Sequence, residues 1–373
     1  MEGRNREKKR RGALGALARR RKELEAIDGE ILRLLARRME RVHTVGQIKS
    51  RHRIPLRNFE VEAEVERRLA ALAAELGHGE ALGRELARFL IGVSLEAQAP
   101  YLDTAYAGER LRVLVAGGAG GMGRWLCRFL SGQGHRVRVF DPSPALLPYP
   151  RVRRLATGAL WADLVFLAVP MEACGPLLEE LAALRPPAIV AELCSLKDHL
   201  APVLARVRAA GLRVVSFHPM FGPETTTLAG KKILFVQGGA PEDLARVRGL
   251  FETTSAQLVE VEAAEHDRLM AWVLGLVHLH NLALARALAR RAPPFSRLRA
   301  AEGVTFRRQA LTTAEVAGEN PHLYFAIQHL NPHFEETAGL LAQSLEELVA
   351  LVTAGDGEAF AACMEESRRY FGS

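Results

Sequence analysis

Cysteine is scarce in this sequence, and its arrangement excludes several classes of protein. The four cysteines (Cys127, Cys174, Cys194 and Cys363) show neither close pairing nor C-x-x-C spacing. Isolated thiols of this kind are typical of reduced cytosolic proteins, so we expect no disulfide framework and no metal site. No apolar run reaches the roughly 18 residues that a membrane-spanning helix needs. The basic N-terminus also lacks the apolar segment of a secretory signal, and we predict a cytoplasmic protein.

Aromatic residues are also few, at 6%, and none lies in the basic N-terminal arm over residues 1–12. This arm carries much of the net charge of +7. Binding to nucleic acid or to a membrane surface is one interpretation of such an arm. Because the arm has no ring for stacking on bases, we favour a solvated, disordered extension and expect neither partner. The length of 373 residues predicts two or three domains.

A glycine-rich turn lies at the centre of the chain. The apolar run at residues 111–116 leads into Gly118, Gly120 and Gly123, which form the pattern G-x-G-x-x-G. Such glycines allow a tight turn and a close approach of pyrophosphate to a helix N-terminus. A second strand-like run ends in Asp141, whose carboxylate would bind the ribose of NAD and repel the 2′-phosphate of NADP. A plain glycine turn is the alternative. We predict an NAD site formed by Gly118, Gly120, Gly121, Met122, Gly123 and Asp141.

Strand-like and helical stretches alternate after this turn. Apolar runs at residues 164–169, 189–192 and 214–217 alternate with helical patterns such as 171–184 and 197–210. This alternation is typical of a parallel sheet and predicts an α/β Rossmann domain over residues 109–261, with 214–217 as its last strand. Functional side chains are expected on loops at the carboxyl ends of the strands.

Two of those loops carry reactive side chains. The loop ELCSLK contains Ser195 and Lys197, and the loop SFHPMFGP contains His218. A residue that precedes proline is held extended, and an imidazole can accept a proton near neutral pH. Taken alone, His218 fits a structural role equally well.

The remaining segments are predicted to be helical. Apolar residues recur at three- and four-residue steps over residues 13–51, and two further helices follow at 59–76 and 80–98. So long a first helix needs a partner, which indicates a helical dimer over residues 13–100. A linker at 101–108 precedes the Rossmann domain. Helices at 265–291, 305–319, 323–331 and 334–352 predict an all-α C-terminal domain over 262–373.

The N-terminal helices resemble a known family. The run RRKELEAIDGEILRLLARRMERVHTVGQIK, followed by Glu62, resembles the all-helical chorismate mutase domain, an intertwined dimer that rearranges chorismate to prephenate. The resemblance implies that Arg38 and the partner subunit's Arg21 hold the two carboxylates of the substrate. It implies further contacts to the ether oxygen from Lys49 and Gln98, and to the ring hydroxyl and a carboxylate from Glu62 and Ser94. Catalysis would rest on orientation and charge stabilisation.

Two positions depart from the mutase pattern. Val61 stands where the family usually has an arginine, and Asn58 stands where it often has an aspartate. The loss of a cation beside the substrate leaves two interpretations open: an active mutase, or a vestigial or regulatory dimerisation module.

From residue 111 onward the motifs are similar to those of the prephenate dehydrogenases. The glycine turn, Asp141, Ser195 with Lys197, and HPMFGP agree in content and order. With the N-terminal helices, the chain is identified as a member of the bifunctional chorismate mutase/prephenate dehydrogenase family. The resemblance implies NAD-dependent oxidative decarboxylation of prephenate to 4-hydroxyphenylpyruvate, with His218 as the base and Ser195 bonded to the same hydroxyl or to His218. It also implies no metal, a homodimer formed by the C-terminal helices, and tyrosine as a feedback effector.

The residues that bind the prephenate carboxylate are less clearly marked. His278 matches a histidine near the family's substrate site, and a buried helical residue is an equal interpretation. Glu315 stands where the family usually has a carboxylate-binding arginine, and a carboxylate there would repel prephenate. Arg307 and Arg308 could supply the cation instead. Arogenate, whose amino group would accept an acidic neighbour, is therefore an alternative substrate, with a vestigial or regulatory mutase domain.

Overall fold

The fold is taken from a computed structural model that describes residues 2–52, 54, 59–103, 108–225, 228 and 230–372. Asn58, one of the two departures from the mutase pattern, lies outside the described residues, as do residues 104–107 of the predicted linker.

The N-terminal domain consists of three helices, as the sequence predicts. They are α1 (Glu2–His52), α2 (Phe59–Glu75) and α3 (Glu80–Asp103). Helix α3 packs against both of the others, and it approaches α2 so closely that a Cβ at Gly83 would overlap the carbonyl oxygen of Leu69.

Two boundaries of these helices differ from the prediction. Helix α1 begins at Glu2, so residues 2–12 continue the helix instead of forming a disordered arm. Arginine, lysine and glutamate, which make up most of this segment, have high helix propensity. Helix α3 continues past Pro100 to Asp103, where the Tyr101 hydroxyl lies 3.3 Å from Nδ1 of His43 on α1. This contact with α1 supports the last turn of α3.

The middle domain is built on a seven-stranded sheet in the order β2-β1-β3-β4-β5-β6-β7. The strands are β1 (Arg112–Ala116), β2 (Arg136–Phe140), β3 (Leu164–Leu167), β4 (Ile189–Glu192), β5 (Val214–Pro219), β6 (Lys232–Val236) and β7 (Gln257–Val261). The first five strands pair in parallel, β6 is antiparallel to β5, and β7 is parallel to β6. The predicted Rossmann fold is confirmed, but β5 is not the last strand.

Helices connect these strands and cover the sheet. They are α4 (Gly121–Gly132), α5 (Leu155–Trp161), α6 (Met171–Leu184), α7 (Ala201–Ala209) and α8 (Pro241–Arg248). Alternate residues of a strand point to opposite faces of a sheet. Leu114 accordingly belongs to one buried apolar cluster and Val113 to another, so each face of the sheet has its own core. The carboxyl ends of β1, β3, β4 and β5 meet at one edge.

The C-terminal domain is helical, as predicted. It contains α9 (Ala263–Met270), a π-helical turn (Ala271–Leu276), α10 (Val277–Arg291), α11 (Phe295–Ala300), α12 (Val304–Gly318), α13 (Pro321–His329), α14 (Phe334–Ala354) and α15 (Gly357–Phe371). Asn281 on α10 accepts hydrogen bonds from Gln309 (2.9 Å) and Thr313 (2.8 Å), which fasten α12 to α10.

The helical run Ala263–Arg291 is long and apolar enough to cross a membrane, judged by length and composition alone. The sequence inspection predicted no such segment. The run nevertheless buries His266, Asp267, His278 and Asn281, which are polar groups held within the domain. These buried polar groups indicate that the run is a helix of the folded domain.

Candidate active sites

The glycine turn has the geometry of a phosphate-binding loop. Gly117 adopts a left-handed φ of +80°, which a residue with a side chain rarely tolerates, and a Cβ there would overlap the carbonyl oxygen of Ala168. A Cβ at Gly123 would overlap the carbonyl oxygen of Gly117, so the start of α4 lies directly on the turn. Gly120 is the N-cap of α4 and no side chain caps it. The backbone N–H groups of this helix end are therefore available to a pyrophosphate.

Asp141 lies beside this turn, as the sequence predicts. One oxygen of its carboxylate accepts a hydrogen bond from the backbone N–H of Ala119 (2.8 Å), and the other accepts one from Ser143 (2.8 Å). The guanidinium of Arg151 donates to the Asp141 carbonyl oxygen at 2.6 Å. The carboxylate thus has a fixed position at the end of β2, next to the glycine turn, where an adenosine ribose binds in Rossmann domains.

A pocket of about 300 Å³ extends from the glycine turn toward the C-terminal domain. Gly120 and Met122 line it from the turn, and Ser195 lines it from the loop that follows β4. Its opposite wall is formed by Asn320, the N-cap of α13, and by His322, Leu323 and Ala326 of that helix. The structure thus brings Gly120, Met122 and Ser195 together, and it adds a wall from α13 that the sequence did not indicate.

His218 is buried at the end of β5, with 5% of its surface exposed. Its Nδ1 lies 3.2 Å from Nε2 of His266, and Nδ1 of His266 lies 2.6 Å from Oδ1 of Asp267. The Asp267 carboxylate also accepts hydrogen bonds from the backbone N–H groups of Lys197 (2.9 Å) and Asp198 (2.8 Å). The strand end, the loop after β4 and α9 therefore meet in one buried polar chain.

A buried ion pair lies beside this chain. Nζ of Lys197 is 2.7 Å from Oε1 of Glu192, and it also donates to the carbonyl oxygen of Phe217 at 3.0 Å. Burial, together with the positive charge of Lys197 and the neighbouring His266, holds the pKa of His218 well below its ordinary value. His218 is therefore neutral near pH 7, which is the form that can accept a proton.

Of the four residues predicted to lie near the substrate, one is buried and three are exposed. His278 is buried and stacks on Tyr324, with ring centroids 4.1 Å apart. Burial lowers its pKa. Arg307, Arg308 and Glu315 lie on exposed positions of α12 and do not line the pocket in the single chain. Their roles remain predictions.

The N-terminal domain collects most of the predicted mutase residues between α1 and α3. Nη1 of Arg38 donates to Oγ of Ser94 (2.6 Å) and to the carbonyl oxygen of Leu90 (3.3 Å). Nε2 of Gln98 donates to the Ser94 carbonyl oxygen at 3.0 Å, and both Ser94 and Gln98 are buried. Burial and the neighbouring Arg68 lower the pKa of Arg38. These contacts place a cation beside buried hydrogen-bonding groups.

Lys49 and Glu62 extend this cluster along α1 to α2. Burial lowers the pKa of Lys49 and the charge of Glu62 opposes that change, so the two side chains lie close together. Val61 is exposed, with 57% of its surface accessible in the single chain. Arg21 is also exposed, and seventeen residues of helix separate it from Arg38, a distance of roughly 25 Å. Within one chain Arg21 is therefore not part of the cluster.

Two cysteines lie close together, and one of them, Cys194, lines the pocket. The Sγ atoms of Cys174 and Cys194 and a carboxylate oxygen of Glu192 lie within 4.8 Å of one another. A hydrogen bond with Cys174 and burial raise the pKa of the Cys194 thiol, whereas a metal ligand must be a thiolate. Glu192 is also already paired with the ammonium of Lys197. We therefore assign no metal to this group.

Three residues that the structure places in or beside the candidate site were not singled out from the sequence. The doubled glycine GG at residues 117–118 was a usable signal for Gly117. The sequence indicated no role for His266 and Asp267, which lie on α9. Their contacts are with residues 48 and 70 positions earlier in the chain, which sequence spacing cannot reveal.

Three family models match successive parts of the chain. They are described as chorismate mutase type II, over residues 20–99, the nucleotide-binding domain of prephenate dehydrogenase, over residues 152–257, and the dimerization domain of prephenate dehydrogenase, over residues 262–366. Their order agrees with the three domains of the structure.

Individual proteins give the same result. A T-protein of Enterobacter agglomerans is 27% identical over 358 residues, which cover 94% of this chain and 92% of that protein. A 4-amino-4-deoxyprephenate dehydrogenase of Streptomyces pristinaespiralis is 32% identical over 275 residues, or 70% of this chain and 91% of that protein. The solved prephenate dehydrogenase from A. aeolicus, in complex with hydroxyphenyl propionate and NAD+, has a TM-score of 0.59 and is 20% identical. The match covers 71% of this chain and 98% of the A. aeolicus chain. The chain belongs to the family of bifunctional chorismate mutase/prephenate dehydrogenases.

Proposed function

We propose that this chain catalyses two consecutive steps of tyrosine biosynthesis, with chorismate and prephenate as its substrates. The N-terminal domain rearranges chorismate to prephenate, and the other two domains convert prephenate to 4-hydroxyphenylpyruvate with NAD. The observation that carries the dehydrogenase assignment is a neutral, buried His218 at the same sheet edge as the glycine turn. The match of both activities along one chain supports the mutase assignment.

The residues around the glycine turn fit a dinucleotide. The turn offers backbone N–H groups at the end of a helix, and side chains in place of its glycines would block this approach. Asp141 supplies an acceptor for ribose hydroxyls. Bound NAD supplies a hydride acceptor. Ser195 lines the pocket on the side of the loop after β4, where it would hydrogen-bond the 4-hydroxyl of the ring.

His218 takes the proton of that hydroxyl while C4 of prephenate loses a hydride. The C–O bond becomes a carbonyl, the bond to the ring carboxylate breaks, and its electron pair enters the ring as CO₂ leaves. The ring becomes aromatic, and the phenolic oxygen regains a proton. The protein contributes a base in its neutral form.

The mutase reaction needs orientation and positive charge instead of a nucleophile. Arg38 would hold a carboxylate of chorismate, with Ser94 fixing the guanidinium. Lys49 and Gln98 would stabilise the ether oxygen as its bond breaks, and Glu62 would contact the ring hydroxyl. Arg21 reaches this site only from a second chain.

A homodimer is part of this proposal. Along α1, the residues Leu17, Leu24, Ile27, Ile31 and Leu34 are exposed in the single chain, as are Leu345, Val349 and Val352 on α14. Faces of this size are normally buried against another helix. We also propose a cytoplasmic location and inhibition by tyrosine, which follow from the family.

Arogenate is the second candidate substrate, with a vestigial or regulatory mutase domain. Glu315 favours it, because an acid at the family's usual arginine position would attract the amino group of arogenate. The relative from S. pristinaespiralis adds 4-amino-4-deoxyprephenate as a third compound to assay.

A coupled assay tests these proposals. NADH formation is followed with chorismate, prephenate, arogenate or 4-amino-4-deoxyprephenate as the sole substrate, each with NAD and then with NADP. NADH from both chorismate and prephenate is the expected result. NADH from arogenate alone would replace the proposed substrate, and no NADH from chorismate would make the N-terminal domain a dimerisation module. A His218→Asn variant is expected to bind NAD but form no NADH.

A further inference from the structure

The chain of hydrogen bonds from Asp267 to His218 fixes which nitrogens carry protons. The backbone N–H groups of Lys197 and Asp198 can only donate, so the Asp267 carboxylate is the acceptor of both. Burial opposes the ionisation of Asp267. Its hydrogen bonds with His266 and with these two N–H groups nevertheless lower its pKa. An ionised Asp267 makes Nδ1 of His266 a donor, at 2.6 Å.

The tautomer of the second histidine follows from the first. A neutral imidazole has one donor nitrogen and one acceptor nitrogen. Because Nδ1 of His266 carries the proton, its Nε2 is the acceptor that faces Nδ1 of His218 at 3.2 Å. Nδ1 of His218 must then carry the proton, which leaves Nε2 of His218 as the acceptor.

We propose that Asp267 and His266 are positioning residues that hold His218 in the Nδ1–H tautomer. During the reaction, His266 also accepts the Nδ1 proton of His218. This inference rests on the proposed dehydrogenase function. The proton of the substrate hydroxyl arrives at Nε2 of His218, and the proton on Nδ1 moves to Nε2 of His266. His218 is neutral again after the transfer. The positive charge resides on His266, directly beside the Asp267 carboxylate.

This relay resolves an electrostatic conflict in the site. A base must gain a positive charge, yet His218 is buried and close to the ammonium of Lys197, both of which disfavour that charge. Nδ1 of His218 is hydrogen-bonded to His266 and not to a carboxylate. Moving the charge one residue further places it against Asp267, where it is stabilised. The ionisable groups around the relay are Lys197, Glu192, Asp198, His199 and His333.

Asp267→Asn is the sharpest test, because the amide has only one arrangement that keeps the backbone contacts. Its oxygen must take the Oδ2 position, which accepts from the backbone N–H groups of both Asp198 (2.8 Å) and Lys197 (3.0 Å), so its NH₂ group faces His266. His266 then accepts at Nδ1 and donates from Nε2, and His218 accepts at Nδ1 and carries its proton on Nε2. The base nitrogen is blocked, and kcat with prephenate is expected to fall about 100-fold or more.

His266→Gln separates the two parts of the relay. A glutamine oxygen can accept from Nδ1 of His218 and keep the tautomer, but an amide cannot take up a proton. We expect kcat to fall roughly 10-fold or more, with the KM values for NAD and prephenate within about twofold of wild type. His135→Asn is the control, since His135 is also buried but bonds to Leu111 at the opposite end of the sheet. It is expected to leave kcat unchanged.

A spectroscopic measurement tests the tautomer without turnover. The ¹⁵N shifts of labelled histidine distinguish Nδ1–H from Nε2–H imidazole, and His218→Asn identifies the signals of His218 by their loss. We expect Nδ1–H in wild type and Nε2–H in Asp267→Asn. An Nε2–H signal in wild type would overturn the relay, as would an Asp267→Asn enzyme with normal kcat. Wild-type protein that forms no NADH from prephenate would instead refute the proposed function, while the spectrum would still test the relay.

Discussion

Lys197 and Glu192 form an ion pair of 2.7 Å in which the two side chains are only 4% and 0% exposed. Lys197 also donates to the carbonyl oxygen of Phe217, the residue before His218. The pair therefore joins the ends of β4 and β5 directly below the proposed base. A buried pair of this kind adds little net stability, but removing one partner leaves a buried charge unpaired.

Lys197→Met is expected to destabilise the protein strongly. The substitution keeps the length of the side chain but leaves the Glu192 carboxylate without its cation, which costs about 3–5 kcal/mol. Urea unfolding measures the change. Lys232→Met, at an exposed position of β6, is the matched control and should cost much less. The double variant Lys197→Met/Glu192→Gln should recover part of the loss, and a loss no larger than that of the control would contradict the pairing.

The same substitution is expected to move the pH profile. Lys197 lowers the pKa of His218, so its removal raises that pKa. Protonated His218 cannot act as a base, so activity is lost as the pH falls through this pKa. The acidic limb of kcat/KM for prephenate should therefore shift to higher pH in Lys197→Met and stay in place in Lys232→Met. A shift to lower pH would show that Lys197 does not act on His218 by its charge.

A substitution in the glycine turn is expected to weaken the binding of NAD. Gly123→Ala would press a methyl group against the carbonyl of Gly117, and α4 would have to move away from the turn. We expect the Kd for NAD, measured by calorimetry, to rise at least about 10-fold, which corresponds to a loss of about 1.4 kcal/mol. Gly357→Ala, at the first residue of α15, meets no neighbouring atom and should leave the Kd unchanged. If both variants bound NAD with the same Kd, the turn would not be part of the NAD site.

The parts of the fold that sequence predicted best are those with strong local patterns. Strand β4 and helix α6 have the predicted bounds, because each is a mainly apolar run between turn residues. Strand β7 is half-exposed along most of its length and has no such pattern. Strand β6 is buried, but its antiparallel pairing with β5 lies outside the alternation of strand and helix that guided the prediction.

The residues of the candidate sites also differ in how well the sequence predicts them. Local motifs indicated the glycine turn, Asp141 and His218, since each has a recognisable neighbourhood of a few residues. The contact of His266 with His218 depends on α9 packing against the end of β5, and no local pattern encodes that packing. Similarly, the exposure of Arg307, Arg308 and Glu315 on α12 depends on what a second chain covers.

Arg38→Ala should separate the two activities of the chain. Arg38 donates to Ser94 between α1 and α3, whereas His218 and the glycine turn lie in the Rossmann domain. Loss of this cation should lower NADH formation from chorismate at least about 100-fold, because the mutase works by charge stabilisation. NADH formation from added prephenate should be unchanged.

Arg37→Ala, at an exposed neighbouring position, controls for the loss of one arginine from α1 and should retain both activities. If Arg38→Ala lowered both reactions equally, the two sites would not be independent. If wild type formed no NADH from chorismate but did so from prephenate, Val61 would mark a mutase site that has lost its activity.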